Sequence, residues 1–154
     1  MTGAKRGRAG SAKRPGRPVA TPRSPIAPAI LPAASAVEFA TEERCFIVEL
    51  SNSERDEAVS IARARVRPGV TTRWHRLDGI AERYVILEGR GLVEVGDLAP
   101  VDVGPEDVVV IPAGCRQRIA NCGTIDLVFL AICAPRFRAE AYVDIDPAPP
   151  DSLT

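Results

Sequence analysis

His75 is the only histidine in 154 residues, and its neighbours define the chemistry open to the chain. It lies in Gly69-Val-Thr-Thr-Arg-Trp-His75-Arg-Leu77-Asp-Gly-Ile-Ala-Glu82-Arg-Tyr84, where two runs rich in β-branched and aromatic residues flank Asp78-Gly79. Asp-Gly between such runs is the signature of a two-residue hairpin loop. In that register Leu77 faces Ile80, His75 faces Glu82 and Arg73 faces Tyr84, with opposed Cβ atoms roughly 4.5–5.5 Å apart. An imidazole and a carboxylate projecting from one face can share a metal ion or a proton. Arg73 and Tyr84 are expected inward beside them, as a guanidinium and a phenol that anchor a substrate carboxylate, phosphate or enolate oxygen. The plainer readings are a His–Glu pair with no further role and an arginine stacked on a tyrosine ring.

The elements that must hold these side chains read as short strands. Cys45–Leu50 is a strand candidate, and Ser60–Arg67 alternates strictly, with Ala62, Ala64 and Val66 on one side. The two runs around Asp78-Gly79 follow, then Leu92–Val95, Val101–Val103, Val108–Ile111, Cys115–Ala120 and Leu127–Cys133, separated by Gly-, Pro- and Asn-rich turns. The apolar run Val108–Ile111 predicts burial on both faces, and Leu127–Cys133 reads as a buried strand. Eight or more short strands with turn signals every 8–12 residues predict an all-β sandwich, barrel or jelly roll. Trp74, Val85 and Leu87 have the opposite parity to His75 and Glu82, so cover by residues 38–50 or by a second subunit is expected. Residues 136–154 are expected to be mostly irregular.

Charge divides the chain. Residues 1–36 hold seven Lys or Arg and no acid, with six prolines at short intervals; residues 37–154 hold 13 Arg against all 20 acids, a balance of −7. The tail is expected to be disordered, and residues 37–154 to form one β domain. No apolar run approaches the roughly 20 residues of a membrane-spanning helix. The tail lacks the aromatic interleaving of a single-strand binder, so nucleic acid is not an expected partner. Cys45, Cys115, Cys122 and Cys133 form no C-x-x-C pair, which favours reduced thiols in a cytoplasmic protein. Cys115 lies two residues from Gln117 and could share its face.

Two motifs carry a resemblance. Gly69-x5-His75-x-Leu77-x4-Glu82-x6-Gly89 resembles the first motif of the cupin superfamily, and Pro112-x-Gly114-x2-Gln117-x3-Asn121 resembles the second. Together they span residues 69–121. The resemblance implies a small single-domain cupin, a double-stranded β-helix or jelly-roll barrel, over residues 37–154. It also implies a divalent transition metal (Fe, Mn, Ni or Zn) on His75, Glu82 and Gln117. The departures are Leu77 where a second histidine is usual, Gln117 at the second-motif histidine, and Glu106 at that motif's leading glycine. A glutamine oxygen is a weaker ligand than imidazole for transition metals. Pro112, Gly114 and Asn121 read as structural, with Asn121 capping the next turn. Two functions stay open: a metal-dependent dioxygenase, isomerase or lyase acting on a small anionic organic molecule, and a non-catalytic small-molecule sensor or binding module. A homodimer is expected in either case.

Overall fold

Alternation of apolar and polar side chains is what drives this chain into sheets, since a strand buries one face and wets the other. The structure, a computed structural model, describes residues 26–33 and 36–147. Most of the expectation for residues 1–36 falls outside that range. Eleven strands are present among the described residues: β1 (Phe39–Ala40), β2 (Phe46–Ser51), β3 (Ser60–Val66), β4 (His75–Leu77), β5 (Ala81–Glu88), β6 (Gly91–Val95), β7 (Val101–Val103), β8 (Val108–Ile111), β9 (Gln117–Asn121), β10 (Leu127–Ala134) and β11 (Tyr142–Asp144). Their order is β1-β2-β3-β10-β5-β8 in one sheet and β11-β4-β9-β6-β7 in the other, with every pair antiparallel. This is the jelly-roll barrel expected from the strand spacing.

The core lies between the sheets. Ala64, Val66, Tyr84, Ile86, Leu127 and Phe129 come from the larger sheet and meet Val93, Val95, Val103 and Ile119 of the smaller one. A second, smaller cluster gathers Leu77, Ile80 and Cys133, with Phe137, Ala141 and Tyr142 packed against it. Asn121 closes the turn after β9: its Nδ2 donates to the Val66 and Ile125 carbonyls, both at 2.8 Å, and its Oδ1 accepts from Gly123 N–H at 2.9 Å. That is the capping role read from sequence.

Four expectations are corrected. β4 and β5 are not a hairpin. Both edges of β4 are taken, by β9 and β11, and both edges of β5, by β10 and β8. The Asp78-Gly79 turn, with Gly79 at φ +74°, therefore crosses from one sheet to the other. Val108–Ile111 is not buried on both faces, because β8 is an edge strand; Val108 and Val110 are 58% and 61% exposed. Residues 142–144 are not irregular but form β11, paired in register with His75–Leu77. Residues 38–50 do not cover Val85 and Leu87, since β1 and β2 lie on the far side of β3 and β10 from β5.

Candidate functional site

Strand parity points His75 and Leu77 inward from β4, and Glu82 and Tyr84 inward from β5; all four are buried. His75 is 3% and Glu82 7% exposed. Each reaches the barrel interior from its own sheet, so they converge face to face across the barrel rather than side by side along a hairpin. Both line a cavity of about 140 Å³, together with Tyr84, Leu77, Thr72 and Glu43.

Gln117 connects the two sheets. It is fully buried, stands opposite His75 in the β4–β9 pairing, and donates from Nε2 to Glu82 Oε2 at 2.7 Å. Its own Oε1 is buried without a partner among the described residues. The other Glu82 oxygen, Oε1, lies 3.7 Å from the Cys133 thiol, which donates to it. Burial pushes the Glu82 carboxyl up to about 7; the Gln117 hydrogen bond and the His75 ring pull it down, the neighbouring Glu43 raises it, and the Cys133 thiol lowers it. Desolvation prevails because a carboxylate loses more water solvation here than one short hydrogen bond restores.

His75 Nδ1 lies 2.9 Å from the Arg73 carbonyl. A carbonyl only accepts, so Nδ1 carries a hydrogen, and Nε2 is the nitrogen left to face other partners. The ring is stacked on Tyr142 of β11, centroid to centroid 5.2 Å at 27°. Tyr84 packs its ring against Phe129 at 4.5 Å, and burial pushes its phenol well up.

Arg73 is elsewhere. Its guanidinium pairs with Asp144 at 2.8 Å and approaches Asp146 at 3.9 Å, and it is not among the cavity-lining residues. The expected approach to Tyr84 rested on the hairpin register, which the two-sheet topology removes. Arg116 and Arg118 do point outward, as read from parity, and lie over the Trp74 ring at 5.1 and 4.6 Å. Cys115 packs at the margin of the core and near Gly96 rather than in the cavity; the thiols that line it are Cys45 and Cys133. Glu43 and Tyr142 were missed in the sequence. Neither carries a motif, and each arrives at His75 from a distant end of the chain. Glu43 comes in because its carbonyl accepts the Arg73 N–H at 3.2 Å.

Known proteins share this arrangement of strands. The family model described as a cupin domain matches residues 62–133. An uncharacterised protein of Methanocaldococcus jannaschii is 32% identical over 104 residues, which cover 66% of this chain and 82% of that relative. The chain belongs to the cupin family. Among solved structures, the Streptomyces nucleoside dehydratase Pac13 superposes with a TM-score of 0.65 at 13% identity, covering 78% of this cupin and 92% of that chain. KdgF from Halomonas gives 0.62 at 12% identity over 71% and 96%. A predicted oxalate decarboxylase from Thermotoga maritima gives 0.60 at 24% identity over 70% and 99%. These likenesses concern the fold.

The fold family implies a metal, and the donors on this cupin do not fit one. Leu77 is apolar and packed into the Ile80–Cys133 cluster. Gln117 turns its nitrogen, not its oxygen, toward Glu82, whereas two metal ligands would both present oxygen to the cation. Among the described residues no three His, Cys, Asp or Glu side chains form a metal-holding group. Nor is any helix of the described residues long and apolar enough to cross a membrane.

Proposed function

We propose that this cupin is a small enzyme of lyase or isomerase type that moves protons on a small molecule without a bound metal, using Glu82 as general acid and base and His75 Nε2 as its partner. The observation that carries this reading is a buried carboxyl on the cavity wall, oriented by Gln117 and pushed up to about 7. A general acid or base works best when its pKa lies near the working pH. An ordinary exposed carboxyl would be fully ionised at neutrality and so useless as an acid. Tyr84 forms one wall beside Glu82, and its raised phenol stays protonated as a hydrogen-bond donor. Pac13 is a nucleoside dehydratase, and dehydration is a reaction of this class. Uridine, bound in related structures of that protein, is a suitable first probe.

The test works with the substrate still unidentified. Incubation in D2O with a panel of small hydroxylated compounds, followed by NMR, reads either deuterium incorporation or elimination. Enzyme-dependent exchange that disappears in Glu82→Gln supports the reading; exchange that persists undiminished in that variant contradicts it. The metal-free part is tested separately by elemental analysis after loading with Fe(II), Mn(II), Ni(II) and Zn(II). One equivalent retained by the wild type and lost in His75→Ala would restore the metalloenzyme expectation.

The apolar walls of the cavity favour a second reading, a binding module that holds a ligand and does no chemistry on it. Tight binding with no exchange and no elimination is its signature. In either role a second copy of the chain is proposed to cover the open edge of β8, where Leu87, Val108 and Val110 are exposed. Sedimentation of the wild type and of Val110→Arg reads this directly: a dimer that dissociates in the variant is expected, and a monomeric wild type contradicts it.

A further inference from the structure

The cavity has an unbalanced lining. Among the described residues its charged lining is Glu43, Glu49 and Glu82, with His75 beside them and neither lysine nor arginine. The nearby arginines are held elsewhere. Arg73 and Arg44 are drawn to Asp144 and Asp146, and Arg136 to Glu57 at 3.0 Å and Asn52 at 3.2 Å. Two further polar groups are already engaged with backbone. His75 already donates its Nδ1 proton to a backbone carbonyl, and Thr72 Oγ1 accepts the Ile119 N–H at 3.0 Å.

Glu43 is the informative member. It sits in the turn between β1 and β2, where Thr41 N–H donates to the Cys45 carbonyl at 2.9 Å and Arg44 adopts φ +71°. The Arg73 N–H fastens that turn to the segment entering β4, so the Glu43 side chain is delivered beside His75. Among the described residues its carboxyl accepts only a long contact from the Cys45 thiol, at 4.0 Å. Burial raises its pKa, the His75 ring lowers it and Asp144 raises it. A carboxyl in a cavity wall without a cation or N–H partner is an acceptor waiting for a donor.

Size adds the second constraint. At about 140 Å³ the cavity is close to the roughly 150 Å³ of an engineered apolar cavity that holds benzene. Ile47, Ala64, Ala131, Phe129 and Phe137 supply apolar wall. An acid entering here would meet no lysine or arginine counterion among the described lining residues, in a low-dielectric space. A hydroxyl or ammonium would meet acceptors, and an ammonium would also meet aromatic faces.

We infer that the cavity takes a ring-sized molecule carrying hydroxyl or amino donors and rejects carboxylates and phosphates, with Glu43 setting that preference. This rests on the cavity proposed above as the active site, and it replaces the anionic substrate expected from Arg73. Calorimetry of the full chain with benzylamine, benzyl alcohol and benzoate tests it, because the three share a ring and differ in head group. Benzylamine and benzyl alcohol should bind, with benzoate weaker by on the order of tenfold or more. In Glu43→Gln, which keeps the side-chain shape, the amine-over-acid ratio should shrink by on the order of tenfold. Benzoate binding as tightly as benzylamine overturns the inference, as does failure of all three to bind, and an unchanged ratio in Glu43→Gln overturns the role of Glu43. Binding is read without turnover, so it stands apart from proton transfer. Benzoate preference alongside exchange that depends on Glu82 would remove the ligand class alone, and amine preference without such exchange would remove the enzyme reading alone.

Discussion

Glu82 makes the chain's stability depend on pH, and the sign follows from its folded-state carboxyl being raised, from 4.5 to about 7. Between those values the folded state holds a proton that the unfolded state has released, so stability falls as pH rises through that window. The full shift corresponds to about 3 kcal/mol, present at low pH and lost above 7. Denaturant titrations of wild type and Glu82→Gln between pH 4.5 and 8 should show the wild type losing stability relative to the variant. Parallel curves would contradict the buried acid. Leu77 belongs to the same scale. It stands where a ligand is usual and packs with Ile80 and Cys133, so Leu77→Ala should cost about 2–4 kcal/mol in chemical denaturation, and a loss under 1 kcal/mol would show that the side chain is not a packing element. Which of these side chains face inward was legible from period-two alternation alone. That Arg73 does not join them was not, because its partners Asp144 and Asp146 lie about seventy residues away and no local pattern links them.

Two turns test the fold at the level of its elements. Gly89, at φ +81°, closes β5 so tightly against the start of β10 that a Cβ there would fall 2.6 Å from the Asp126 carbonyl oxygen and 2.9 Å from Leu127 Cα. Both are backbone atoms and cannot step aside as a flexible side chain would. Gly89→Ala is expected to cost several kcal/mol, read as a fall in denaturation midpoint; a cost below 1 kcal/mol would contradict that close approach. Glu106 is the reverse case, a non-glycine residue held at φ +74° where the family motif has glycine. Glu106→Gly should raise stability by up to about 1 kcal/mol, and a clear loss would contradict the strained turn. Motif spacing located both turns in the sequence. It did not reveal which strands pair across them, because Asp78-Gly79 reads the same whether it closes a hairpin or turns a corner between sheets; occupation of both β4 edges, one by a strand 65 residues on, decides it.

At the scale of the molecule, the strand count, the alternation and the two motifs were enough to foresee the barrel, while the completed site was not foreseeable. His75 and Glu82 meet because opposite sheets face each other, Glu43 because a turn near the start of the domain is fastened to the Arg73 N–H, and Tyr142 because β11 docks on β4. These are closures between distant parts of the chain, and none leaves a local signature. The Gln117–Glu82 hydrogen bond spans the two sheets at the cavity, and the proposed chemistry depends on it. Titration of the Glu82 carboxyl carbon by NMR in selectively labelled protein tests that most directly. A midpoint near 7 in the wild type, moving further up in Gln117→Leu as the lowering hydrogen bond is removed, is the expected result. A midpoint near 4.5, insensitive to residue 117, would contradict the proposed acid–base role of Glu82.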